Sequence, residues 1–242
     1  MTDGGGGQGE LQTPLDILGI MASQQAMLGP DLRHIEMYTR RGLLSILWHE
    51  PTGDARDVGV VMVGGAMGGV MGPGEALYHV LGEDFSARGI PAMRLSYRKP
   101  NDMDSCCVDT AAAEQMMVGT GCERVILMGH SFGGAVAIRV AVGLSMMVSG
   151  VVTFATQSAG CEIAGGLQGR PLLMFHGDRD EILPFETSVV VRELAGHGEV
   201  IALPGEGHLL DGAAWHKLNH HKGQKQDTQQ GGDHQQQSFQ NV

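Results

Sequence analysis

The first thirty residues contain no Lys or Arg. They therefore lack both the basic start of a secretory signal and the Arg-rich character of a transit peptide. Cysteine is scarce too, with only Cys106, Cys107, Cys122 and Cys161 in the chain. Four irregularly spaced thiols make no disulfide framework, and no C-x-x-C or His/Cys spacing suggests a metal. Reduced thiols in the cytoplasm or another reducing compartment are the expectation. Cys106 and Cys107 are neighbours on an expected helix, which should bury one and expose the other. No apolar run approaches the ~18–20 residues of a membrane span, so no integral membrane segment is expected. Basic residues are few as well: the formal charge is −11 and no concentrated basic face is visible, which argues against nucleic acid.

What remains is an ordinary globular composition, 42% hydrophobic and 18% charged, whose length suits one α/β domain with a core that needs no staples. Residues 1–30 open on glycines and are expected to be a flexible arm, with a marginal helix from Leu15 to Met27. Residues 31–218 should form the domain. Residues 219–242, rich in Gln and His, bury too little apolar surface to order themselves. His216 and His220 stand one helical turn apart, and their reading is as solvated tail histidines.

Within the domain, Arg33–Thr39 and Leu43–His49 read as a β-hairpin around Arg40-Arg41-Gly42. From residue 58 onward strand and helix alternate. Val58–Val63, Ala92–Tyr97, Val125–Met128, Val151–Ala155, Pro171–Phe175 and Glu199–Leu203 are expected strands. Helices are expected around Leu77–Phe85, Val108–Met116, Phe132–Leu144, Phe185–Ala195 and, briefly, Gly212–Leu218. That alternation implies a doubly wound, mostly parallel sheet with right-handed crossovers, preceded by an antiparallel hairpin.

The chain's 38 glycines concentrate where chemistry is expected. Gly129-His130-Ser131-Phe132-Gly133 lies between an apolar strand and an Ala-rich helix. A serine on such a corner projects its hydroxyl away from both elements, as a nucleophile must. Gly129 and Gly133 flank it because a β-carbon there would meet the facing backbone. His130 should pack beside the corner and take no part in proton transfer. A second glycine-rich stretch, Gly64 to Gly74, follows the first parallel strand.

Ligands of an open parallel sheet bind at the carboxyl ends of its strands. The segments that follow the strands are, in order, the glycine loop, Tyr97-Arg98, Ser131, Thr156-Gln157-Ser158, His176-Gly-Asp178-Arg-Asp180, and Gly205-Glu-Gly-His208. A serine, an acid and a histidine thus emerge on one edge. Serine needs a base to take its proton, here His208, and a carboxylate behind the imidazole to fix its tautomer. Asp178 and Asp180 both compete for that last role. The oxyanion needs two amide donors: the Phe132 N–H and one from the glycine loop, Ala66 or its neighbour Met67. Tyr97, Arg98 and Gln157 stand where substrate could pass, and Met67 and Met71 could line an apolar acyl pocket. Phosphate and dinucleotide binding by the loop are disfavoured, since Gly-x-x-x-x-Gly-Lys is absent and no Lys or Arg lies between Arg56 and Arg88.

Three motifs in this order, Gly129–Gly134, His176–Pro184 and Gly205–His208, resemble the α/β-hydrolase superfamily over about residues 33–218. The chain is most similar to its small lidless members, grouped with dienelactone hydrolases and serine aminopeptidase-like hydrolases. The resemblance implies that Asp180, matching His-Gly-x-x-Asp-x-x-x-Pro, is the acid and that Asp178 caps the turn. It implies an acyl-serine mechanism with no cofactor. Two departures stand out: dienelactone hydrolases proper use cysteine as nucleophile, and the family often has histidine where Gly64 stands. Only Thr156–Arg170 is available for a cap after the strand ending at Ala155, too little for a cap domain. An open site suits a small or soluble ester or thioester. A serine peptidase or amidase of the same fold, acting on a short peptide, is the nearest alternative. A non-catalytic ligand-binding protein of that fold is the alternative from another class.

Overall fold

A computed structural model describes residues 12–144 and 147–211. The helix expected over Gly212–Leu218, the histidines His216 and His220, the expected 219–242 tail and the first glycines all lie outside the described residues.

One nine-stranded sheet carries the chain, in the order β1-β2-β3-β5-β4-β6-β7-β8-β9. Strands β1 (Ile20–Gly29), β2 (Leu32–Thr39) and β3 (Gly42–His49) form an antiparallel meander that joins β5 (Ala92–Ser96) antiparallel. The strands β5, β4 (Val58–Val63), β6 (Arg124–His130), β7 (Val148–Phe154), β8 (Leu172–Gly177) and β9 (Glu199–Leu203) pair parallel. The chain steps from β4 to β5 on one side and then returns past β4 to β6. The switch point thus lies between the carboxyl ends of β4 and β6, where an open α/β sheet forms its crevice.

Helices cover both faces. On one, α1 (Pro14–Leu18), α3 (Met103–Gly119), α4 (Phe132–Gly143) and α5 (Glu186–Ala195) pack against the larger core, in which Leu44, Ile46, Val61, Leu95, Leu127 and Ile138 are fully buried. On the other, α2 (Leu77–Ala87) sets Leu77, Tyr78 and Leu81 against Val60, Met62, Phe154 and Phe175. Between β7 and β8 runs only a loop with one 3-10 turn, Ala164–Leu167, so no cap domain is inserted there.

Two expectations fail. The helix expected over Leu15–Met27 stops at Leu18, and residues 20–29 are a strand rather than a peripheral arm. Thr13 and Asp16 form a capping box at its start, while Gly19, at φ 61°, ends it as a left-handed cap. Pairing with β2 then decides the conformation of 20–29, overriding the helical preference of Met, Ala, Gln and Leu. The split between Cys106 and Cys107 also fails: both are buried, because α3 is flanked by α1 and α4.

Arg98 and Asp109 lock α3 to the end of β5. The guanidinium Nε donates to Asp109 Oδ1 at 2.5 Å and the Arg98 amide donates to Oδ2 at 2.8 Å, with side chains 4% and 0% exposed. Asp109→Ala would strand that cation inside the protein. It is expected to cost about 3–5 kcal/mol of stability, read from urea denaturation.

Candidate active site

The corner at Ser131 is where β6 stops and α4 begins, with no connecting residue besides the serine itself. Its backbone sits at φ 54°, ψ −117°, a region that L-residues occupy only when their surroundings force it. Those surroundings are visible. The Ser131 amide donates to the Phe154 carbonyl of β7 at 2.8 Å, and its own carbonyl accepts from Gly134 at 3.0 Å. A β-carbon on Gly129 would run into the Gly133 carbonyl, and one on Gly133 into the Gly64 carbonyl. Sheet, helix and glycine loop therefore meet backbone to backbone around the serine.

The hydroxyl reaches a line of partners. Ser131 Oγ lies 3.0 Å from His208 Nε2, and His208 Nδ1 lies 2.8 Å from Asp180 Oδ2. A carboxylate cannot donate, so Nδ1 carries the proton and Nε2 is left free to accept from the serine. The three residues follow the ends of β6, β8 and β9 and meet at one edge of the sheet.

Asp180 and Asp178 separate cleanly. Asp178 is exposed and its Oδ1 accepts from the Gly205 amide at 2.6 Å, which ties the β8 and β9 loops together. The Asp180 carboxylate has no solvent exposure. Its Oδ1 accepts from the amides of Ile182 at 2.9 Å and Leu183 at 2.7 Å. Burial alone would raise this acid, but the Leu183 amide, His208 and the Ile182 amide together outweigh it and hold the carboxyl below its ordinary range.

A fourth donor went unrecognised in the sequence. His176, wholly buried at the end of β8, brings Nε2 to 3.1 Å from Asp180 Oδ2 and 2.9 Å from the Leu183 carbonyl. Both neighbours are acceptors, so Nε2 bears a proton, and Nδ1 lies 2.7 Å from Ser188 Oγ. His176 fixes the acid's loop from behind. The signal was its place as the first residue of the His-Gly-x-x-Asp run.

His130 packs beside the serine as expected, and it also braces the histidine. Its Nε2 donates to the His208 carbonyl at 3.0 Å, with the two rings 5.0 Å apart. Burial pushes the His130 imidazole down to about 4, the hydrogen bond to His208 only partly opposing it, so the ring is neutral.

The glycine loop is held by buried polar side chains, one of which was assigned otherwise from the sequence. Tyr97 is buried, and its hydroxyl donates to the Gly64 carbonyl at 3.4 Å; Tyr78 donates to the Val63 carbonyl at 3.0 Å. Arg94, also buried, reaches the Val70 carbonyl at 3.3 Å and the Met71 sulfur at 3.6 Å. Tyr97 and Arg98 thus serve the scaffold, in place of the substrate contacts expected of them. Met67 stands 93% exposed, which does not suit a pocket wall, whereas Ala66 packs partly buried against the core. Gln157 is half-buried: its amide points to the Ser131 carbonyl at 3.4 Å and its side chain donates to Ala159. Phe132, whose N–H is the other expected oxyanion donor, is the first residue of α4.

No protein-family model and no curated protein matches the sequence. Solved structures do match. An α/β serine hydrolase homologue from Coxiella burnetii superposes with a TM-score of 0.60 at 17% identity, covering 76% of this chain and 90% of that one. Est1E from Butyrivibrio proteoclasticus gives 0.61 at 15%, covering 74% and 91%. A lidless α/β serine hydrolase from Xanthomonas campestris gives 0.58 at 18%, covering 76% and 89%. Likeness at such low identity speaks for architecture. The chain has the α/β-hydrolase fold in its lidless form.

Neutral His130 has a consequence for acid stability. Below its ordinary value of 6.5 the unfolded chain protonates this residue, whereas the folded chain refuses the proton until about 4. Stability is therefore complete above 6.5 and falls as pH drops towards 4. His49, buried beside Arg94 and likewise pushed down to about 4, adds to the same slope. Urea midpoints are expected to drop between about pH 7 and pH 5, and His130→Asn should flatten that drop by about 1–2 kcal/mol.

Proposed function

We propose that this protein is a serine hydrolase that cleaves a small or soluble ester or thioester through an acyl-Ser131 intermediate. The observation that carries the reading is the continuous hydrogen-bonded line from Ser131 Oγ through the His208 ring to a buried carboxylate. In this mechanism His208 Nε2 takes the serine proton as Oγ attacks the acyl carbon. Asp180 keeps the imidazole in the right tautomer and stabilises the imidazolium that forms. The Phe132 amide and a glycine-loop amide, Ala66 before Met67, receive the oxyanion. His208 then returns the proton to the leaving group, and water repeats the cycle on the acyl-serine. No step calls for a cofactor.

The connection between β7 and β8 supports the substrate class. The short β7–β8 connection inserts no cap domain, which suits substrates that are not threaded through a lid. The similar lidless architecture of the Xanthomonas campestris serine hydrolase supports the same reading.

A fluorophosphonate probe is expected to label the wild type and not Ser131→Ala. Persistent labelling of that variant would refute the nucleophile, and an unlabelled wild type would favour a binding protein of this fold. His208→Ala should lower kcat on short nitrophenyl esters by about 10⁴–10⁶, since the triad acts as a unit. Faster cleavage of aminoacyl amides than of those esters would move the assignment to a peptidase.

A further inference from the structure

The strand at the sheet's edge has an arrangement that the hydrolase reading leaves unused. Strand β1 pairs with β2 on one side and has no strand partner on the other among the described residues. Proteins usually blunt such an edge with charge, proline or brevity. This one runs for ten residues, Ile20-Met-Ala-Ser-Gln-Gln-Ala-Met-Leu-Gly29, without a charged side chain or a proline. Ile20, Met21, Met27 and Leu28 are 40%, 62%, 47% and 59% exposed. Register irregularities against β2 fall only at the two ends, between Ile20 and Ala22 and between Met27 and Gly29, leaving the middle regular.

The sequence of this strand is nearly a palindrome about Gln24. Ser23 mirrors Gln25, Ala22 mirrors Ala26, Met21 mirrors Met27, and Ile20 mirrors Leu28. That symmetry bears on one kind of partner. When a strand pairs antiparallel with its own copy, a two-fold axis stands normal to the sheet and keeps each face on its own side. Because side chains alternate between faces, one residue must then lie opposite itself. With Gln24 on the axis, the regular stretch pairs alike, alanine with alanine and polar with polar, and the sequence symmetry continues past the register breaks with methionine against methionine and isoleucine against leucine. Moving the axis to Gln25 sets Ser23 against Met27 and Ala22 against Leu28; moving it to Ser23 sets Met21 against Gln25. Only the Gln24 register matches chemistry on both faces.

We propose that β1 is a homodimer interface, in which two copies pair antiparallel with Gln24 opposite itself and the two sheets run on as one. An unrelated strand would give no reason for the palindrome. The uncharged edge also lets two chains of formal charge −11 approach. The nearest acid on β2, Glu36, is already engaged by Gln24 Nε2 and the Tyr38 hydroxyl.

Light scattering from micromolar concentration upward is expected to give twice the 25.6 kDa chain mass. Oxidised Gln24→Cys should form a covalent dimer, because residue 24 meets its own copy and the four native cysteines are buried. Met21→Cys should not cross-link with itself but should with Met27→Cys in a mixture. The double variant M21K/M27K places like charges opposite each other twice and should weaken the dimer about tenfold or more. M21E/M27K, which faces opposite charges at the same positions, should restore it. Circular dichroism on each variant checks that the fold is retained. A monomeric wild type, a Gln24→Cys chain that fails to cross-link, or a dimer indifferent to M21K/M27K would each overturn the proposal.

Discussion

The backbone conformation of Ser131 is the constraint on which the site depends. Nothing in a serine's own chemistry favours φ 54° with ψ −117°. The position is held because three backbones close on it: the β7 carbonyl that takes its amide, the first turn of α4, and the start of the glycine loop. That closeness is possible only where side chains are missing, so the glycines at 129 and 133 and the strain at 131 form a single device. The sheet order supplies its anvil, since β4, β6 and β7 lie side by side and their ends come up together.

Electrostatics around Ser131, His208 and Asp180 are settled by hydrogen bonds rather than by exposure to water. Asp180 is hidden from solvent yet stays below its ordinary range because amides and an imidazole face it. His176 stands behind that acid and His130 behind the histidine, the one reaching a carboxylate oxygen and the other a main-chain carbonyl. Each fixes one partner's loop without standing between serine and base. Site rigidity therefore comes from polar contacts at the loops, while the strands that carry them are fixed by apolar burial.

Much of this was legible in the sequence, for identifiable reasons. Strands β4, β6 and β8 are short apolar runs closed by glycine, and their alternation with helices fixes a parallel sheet with few free choices. Ser131, Asp180 and His208 were visible because each follows a strand at the same edge. What stayed hidden depended on pairing or on burial. Ile20 to Leu28 has a helical composition, and only the neighbouring β2 makes it a strand. Tyr97 and Arg98 stand at a strand end, where substrate contact is a fair expectation. Whether such a side chain turns outward or folds back onto Gly64 or Asp109 depends on residues distant in the chain. The exposure of Met67 is of the same kind, since hydrophobicity alone predicts a wall and the loop's path sends it to solvent.

Chain order adds something that the folded geometry conceals. His208, the proposed base, lies 77 residues beyond Ser131 and 28 beyond Asp180. Synthesis runs from the amino end. A chain still being made thus contains Ser131 first, then Asp180, and His208 after both. In the proposed mechanism, a chain that stops before residue 208 has the serine without its base. Under that mechanism, reactivity waits until nearly the whole described domain has been synthesised, because the proposed base follows β9.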